Sequence, residues 1–153
     1  MYSAVLLLHS WVRWVVLAAA VVVLVRSLRG WLGSQPWTTA DARSGRIFIS
    51  ALDFQFLLGL ILYAGLSPIT RAALSDMGAA MRDGLMRYWA VEHAFGMLIA
   101  VVIAHIGVGR SRRAATDAAR HRSVAISIAL SLLIIAATLP WPISSYARPL
   151  FRW

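Results

Sequence analysis

The chain contains no cysteine. Thioether-attached haem, thiolate-held iron–sulfur clusters and structural disulfides are therefore excluded. Acidic side chains are scarce as well: six Asp and Glu stand against fifteen basic residues, and every basic residue is Arg. No polar stretch is long enough to form a separate soluble domain. There is no internal repeat, no phosphate loop and no nucleophile–base constellation. The His-Glu-x-x-His zinc pattern does not occur. The Glu-x-x-His pattern of di-iron bundles is also missing, because Glu92 and His93 are adjacent.

What the chain has in excess is apolar surface. Hydrophobic residues make up 60% of it, with a mean hydropathy of +0.72, where a soluble domain holds about 45–50%. The excess is gathered in four blocks, roughly Val5–Val25, Ile47–Leu66, Tyr88–Val108 and Ser123–Leu139. Crossing a bilayer takes about 20 apolar residues, and about 17 at the least. The expectation is an all-α fold: one membrane domain, 1–153, built as a four-transmembrane-helix bundle. Its helices run approximately 3–28, 45–66, 86–109 and 120–139, followed by a C-terminal tail, 140–153. The first block has no side-chain positive charge ahead of it and is long, so it reads as a retained helix rather than a cleaved signal.

Net charge is +9. In a soluble protein that would suggest nucleic acid. Here the Arg residues fall in the connections, and their distribution sets topology. The first and third loops hold Arg26, Arg29, Arg43, Arg46, Arg110, Arg112, Arg113, Arg120 and Arg122. The second loop and the tail hold Arg71, Arg82, Arg87, Arg148 and Arg152. Nine against five places the first and third loops in the cytoplasm, which gives an N-out/C-out protein of a bacterial inner membrane. Trp31, Trp37, Trp89, Trp141 and Trp153 lie near block ends, as interfacial tryptophans do. Gly30-Trp-Leu-Gly33 and Pro36 are expected to end the first helix. In the second loop, Leu74, Met77, Met81, Leu85 and Tyr88 recur at helical spacing, so a short helix lying on the outer surface is expected there. Its methionines read as the greasy side of that helix before they read as copper ligands.

Ionisable residues at membrane depth are costly and therefore candidates for function. They are His9, Arg13, Asp53, Glu92, His93 and His105, with His121 at the mouth of the fourth helix. His9 and His93 lie a few residues below the outer surface, on the first and third helices. His105 is twelve residues beyond His93, about 18 Å deeper at 1.5 Å per residue and about 120° further round. It approaches the inner surface, where the fourth helix begins at His121. The four histidines thus form two depth-matched pairs, each drawn from two helices. Two neutral imidazoles facing each other across a bundle are what bis-histidine haem ligation requires. His9 and His93 are the candidate ligands of the iron, and His105 with His121 a second candidate site. Small residues at Gly96, Ala100 and Gly107 leave room either for a porphyrin or for a closely packed helix. Arg13, one turn past His9, is expected to pair with Asp53, or to handle protons or quinone. Gln55 points away from Asp53 and needs its own partner, and Glu92 can meet Arg87. Pro140-Trp-Pro142 stops the fourth helix, and the Arg-bearing aromatic tail is expected to fold back over the outer end.

His9-Ser-Trp-Val-Arg-Trp, Gln55-Phe-Leu-Leu-Gly-Leu-Ile-Leu-Tyr63, Met86-Arg-Tyr-Trp-Ala-Val-Glu-His93, His105-Ile-Gly and Pro140-Trp-Pro together resemble a family of small bacterial four-helix membrane proteins described as cytochrome b-like. The resemblance covers almost the whole chain. It implies non-covalent haem b, histidine ligands and an electron-transfer role, as a subunit rather than as an enzyme alone. The expected partners are the lipid bilayer, other membrane subunits or a second copy, with quinone as a possible cofactor. The alternative is a haem-free accessory subunit of a larger inner-membrane respiratory or photosynthetic complex.

Overall fold

The structure is a computed structural model that describes residues 1–151. Arg152 and Trp153, expected in the aromatic tail, lie outside the described residues. Helices dominate: α1 (Tyr2–Leu32), α2 (Thr39–Ile61), α3 (Pro68–Ser75), α4 (Met77–Ala80), α5 (Gly84–Arg87), α6 (His93–Ser111) and α7 (Asp117–Thr138). Five-residue π-type turns extend α2 through Leu62–Leu66 and join α5 to α6 through Tyr88–Glu92. Four helical spans are long and apolar enough to cross a membrane: Tyr2–Leu32, Thr39–Leu66, Gly84–Ser111 and Asp117–Thr138. The protein is a four-helix, multi-pass membrane protein. The 31 residues of α1 cover about 46 Å at 1.5 Å per residue, against about 30 Å of hydrocarbon, so its ends project.

Two helix boundaries differ from expectation, each for a local reason. The second span starts at Thr39 rather than near 45, because Thr38 and Asp41 form a capping box. The Asp41 carboxylate accepts from the Thr38 amide at 2.9 Å, and the Thr38 hydroxyl accepts from the Asp41 amide at 3.3 Å. Arg26 of α1 then pairs with the buried Asp41 at 2.7 Å, locking the first loop. The first helix runs through Gly30 and ends at Leu32, with Gly33 as its C-cap. Gly30 is thus no terminator: it is buried, and its bare Cα is covered by the His121 ring.

α1 packs on α2 and α7, and α7 packs on α6, while α2 and α6 meet only loosely. The core holds Val16, Ala20, Val23, Phe48, Leu52, Ala104, Val124 and Ile128. The α6–α7 seam is the tightest. A side chain at Gly96 would run into Thr138, and one at Gly107 into Ser127. Ser131 donates to the Ala100 carbonyl at 2.9 Å and Ser123 to that of Gly107 at 3.0 Å. The Gly96–Ala100–Gly107 stripe therefore serves helix packing, the use small residues most often have in membranes.

Between the second and third spans the expected single helix is broken in three. Ser67, Asp76 and Asp83 cap α3, α4 and α5 through the amides of Thr70, Ala79 and Met86. These short polar side chains restart the helix each time. Leu74, Met77, Met81 and Leu85 remain exposed, whereas Tyr88, expected on the same face, is buried.

Candidate functional site

His9 sits on the second turn of α1 and His93 opens α6. Both line one cavity of about 480 Å³ between α1, α2 and α6, a volume typical of small-molecule and cofactor sites. Its walls are apolar: Val16 and Leu17 from α1, Leu52 and Phe56 from α2, Met97 and Val101 from α6. Its polar lining includes His9, Arg13, Gln55, Tyr63, Trp89, His93 and Arg148. His9, Arg13 and His93 all line this one cavity. The wall is incomplete on the lipid side, where Leu60, Phe95 and Leu98 line the cavity while staying exposed.

The His93 ring is set by the end of α7. Its Nδ1 lies 2.8 Å from the Thr138 carbonyl, an acceptor, so Nδ1 carries the hydrogen and Nε2 keeps its lone pair. The Tyr88 hydroxyl donates to the same carbonyl at 2.6 Å. That carbonyl is available because Leu139 turns to an extended conformation before Pro140 and leaves the helix end without its next turn. The π-type turn over Tyr88–Glu92 places Trp89 beside the ring, with centroids 5.3 Å apart. The Tyr63 hydroxyl bridges the two π-type turns by donating to the Ala90 carbonyl at 2.9 Å.

His9 is held differently. Gln55 Nε2 donates to the His9 carbonyl at 3.0 Å and lies 3.3 Å from its ring Nε2. Gly59 lets the ring approach α2: a Cβ there would stand 3.3 Å from the His9 Cε1. Three buried polar atoms in this cavity, His9 Nδ1, Gln55 Oε1 and Trp89 Nε1, have no hydrogen-bond partner among the described residues. An unmet polar atom in an apolar enclosure is costly.

The C-terminal tail closes one end. Arg13 donates to the Leu150 carbonyl at 2.5 Å and the Trp14 indole to the same oxygen at 3.2 Å. Phe151 stacks on Trp14 at 5.2 Å, Tyr146 on Tyr88 at 3.5 Å, and the Arg148 guanidinium lies over Trp89 at 5.2 Å. This corrects the expected Arg13–Asp53 pair. Arg13 reaches to the tail, while Asp53 faces outward and takes His105 Nε2 at 3.3 Å.

The other two histidines are not brought together. His105 is exposed, with Nδ1 3.0 Å from the Val101 carbonyl and its other edge on Asp53. His121 is 1% exposed, packed against Gly30 and 4.8 Å from the Trp37 ring. Neither of its nitrogens has a partner among the described residues. Glu92 meets Arg87 at 2.7 Å on the surface, as its position suggested, and the partner that Gln55 was expected to need is His9. Thr138, Trp89 and Tyr63 were not singled out as site residues. For Thr138 the signal is Pro140, which strips the preceding carbonyls of helical donors. The described residues hold no group of three or more His, Cys, Asp or Glu that could bind a metal ion, and a bis-histidine haem needs only two. No protein-family model, curated protein or solved structure matches this chain.

Proposed function

We propose that the protein is a membrane-bound b-type cytochrome that carries single electrons, with His9 and His93 as the residues that would hold one haem b. One observation carries the proposal: two imidazoles from different helices enter the same apolar cavity. The fit has a second support in the cavity's three unmet polar atoms, which call for an occupant that is not wholly apolar. When bound, haem supplies reversible one-electron chemistry at its iron.

The chain's own residues do the rest. The Thr138 carbonyl fixes the His93 tautomer and raises the basicity of Nε2, the role such acceptors play behind ligating histidines. Gln55 keeps the His9 backbone in place through its carbonyl and occupies the ring nitrogen that ligation would require it to leave. Arg13 and Arg148 bring positive charge to the tail end of the cavity, the complement of carboxylate groups. The apolar walls exclude water, and the gap at Leu60, Phe95 and Leu98 offers a lipid-soluble redox partner such as a quinone an approach from the bilayer.

The Arg distribution supports an N-out/C-out orientation in a bacterial plasma membrane, with this cavity in the outer half. The exposed apolar residues of α3–α5 then suit a seat at the outer membrane surface.

A reduced-minus-oxidised absorption spectrum of the purified protein tests the proposal. Low-spin b-type bands are expected, absent from His9→Ala and His93→Ala and retained in His105→Ala. A spectrum without such bands overturns it and leaves a haem-free subunit of a larger membrane complex as the standing explanation.

A further inference from the structure

Asp53 and His105 form a pair that the cavity does not use. Their side chains are 50% and 45% exposed, on the outer face of the loose α2–α6 seam. Asp53 is seven residues from Arg46 and His105 five from Arg110, the nearest basic residues toward the first and third loops. At 1.5 Å per residue both groups lie about 8–10 Å into the span from those arginines. The two helices run in opposite directions, so the matching depths are independent of each other. Neither side chain is long enough to snorkel that distance, as Arg or Lys would. One imidazole edge also cannot satisfy a carboxylate, which has about four acceptor positions. A half-uncovered carboxylate in hydrocarbon is untenable, and such groups face protein or a water-filled cavity.

The surroundings of the pair point to protein. On α6, Val102 and Gly109 lie about one turn to either side of His105, and on α2, Ser50 and Leu57 flank Asp53. All four are exposed. Gly109 has open space around it: a Cβ built there meets nothing within 4 Å. Its missing side chain is therefore not explained by packing within the chain, as those of Gly30, Gly96 and Gly107 are. An exposed small residue beside a polar group on a membrane helix is the surface that lets another helix approach closely.

We propose that this face is the contact between two copies of the chain, related by a two-fold axis along the membrane normal. Charge complementarity selects the occupant. A partner must present a hydrogen-bond donor to the uncovered side of the Asp53 carboxylate at this depth and be apolar elsewhere. A second copy inserted in the same orientation does so automatically, with Asp53 of each chain meeting His105 of the other. The contact is isologous and closes at two subunits. The contact does not rest on haem binding.

Site-directed cross-linking of the full chain in native membranes tests it, since the natural chain has no thiol. Val102→Cys, oxidised with a copper–phenanthroline reagent, is expected to form a disulfide-linked homodimer at twice 16.8 kDa. Ile126→Cys, equally exposed on α7, is expected to stay monomeric. Native mass spectrometry in mild detergent should show a dimer, and Asp53→Asn should raise its dissociation constant about tenfold. Gly109→Leu should weaken the dimer as well, and since a Cβ at this position meets nothing within 4 Å in its own chain, its effect is expected on assembly rather than on folding. A monomeric Val102→Cys protein, a homodimer cross-linked equally through Ile126→Cys, an adduct with a different polypeptide, or a Gly109→Leu dimer of unchanged affinity each overturns the proposal.

Discussion

The two ends of the bundle carry the same resource, a pair of histidines from different helices, and use it in opposite ways. At the tail end, His9 and His93 line one cavity, and polar atoms around them are unmet among the described residues. At the other end, His105 turns outward to Asp53, and His121 turns inward to fill the gap over Gly30. By sequence, each pair falls toward one end of the bundle. The difference lies in rotation about the helix axes and in what the facing helix offers. α2 presents Gly59 and Gln55 to His9, whereas α1 presents a bare Gly30 that the His121 ring covers completely. Equal depth is necessary for two ligands to meet, but the shape of the third element decides whether a cavity remains between them.

Substitutions can break this contrast. The largest expected effect is qualitative: His9→Ala or His93→Ala abolishes the b-type spectrum, while His105→Ala preserves it. A haem spectrum that survived at the first pair and vanished with His121 would invert the assignment of the two ends. Next is His121 itself. His121→Ala opens a hole in a packed site and should cost about 2–4 kcal/mol, the scale of large-to-small core changes, read as a lower melting temperature in detergent. His121→Phe should cost far less, because no hydrogen bond is lost with the imidazole. Equal destabilisation by Phe and Ala would show that the ring nitrogens matter and that packing is not the role of this residue.

Gly30→Ala should destabilise by about 1–3 kcal/mol through overpacking, and His121→Ala should relieve part of it in the double variant. Independent, additive effects would contradict the direct contact. Tyr88→Phe removes one of two donors to the Thr138 carbonyl and should cost about 1 kcal/mol. With haem held as proposed, it should also shift the reduction potential, because His93 then holds that carbonyl alone. Smallest is Glu92→Gln: its pair with Arg87 is 43% and 44% exposed, so a change below about 1 kcal/mol is expected, with no effect on the spectrum.

Much of the fold was legible because lipid imposes a strong filter: four apolar blocks separated by Arg-bearing connections leave few alternatives. That His9 and His93 line one cavity follows a related logic, since up-and-down topology converts residue number into depth. Rotational detail was less so. Gly30 looked like a terminator because glycine usually ends helices, and only the His121 ring explains a glycine inside one. The start of α2 was signalled by Thr38 and Asp41, but the polar stretch around them masked a capping box. Arg13 went to Leu150, 137 residues away. No local pattern encodes a backbone carbonyl in a folded-back tail, so depth alone pointed to Asp53 instead.

The π-type turn over Tyr88–Glu92 carries a consequence for how this chain can vary. It packs one residue more than a regular α-turn needs, immediately before His93. Deleting that residue would restore ordinary helical hydrogen bonding and swing everything upstream by about 100°, while α6 and its histidine kept their place. Tyr88 and Trp89 would leave the ring, and the surface helices would be re-aimed. The extra residue is thus an adjustable joint, at which a lineage can change what surrounds the imidazole without moving the imidazole itself.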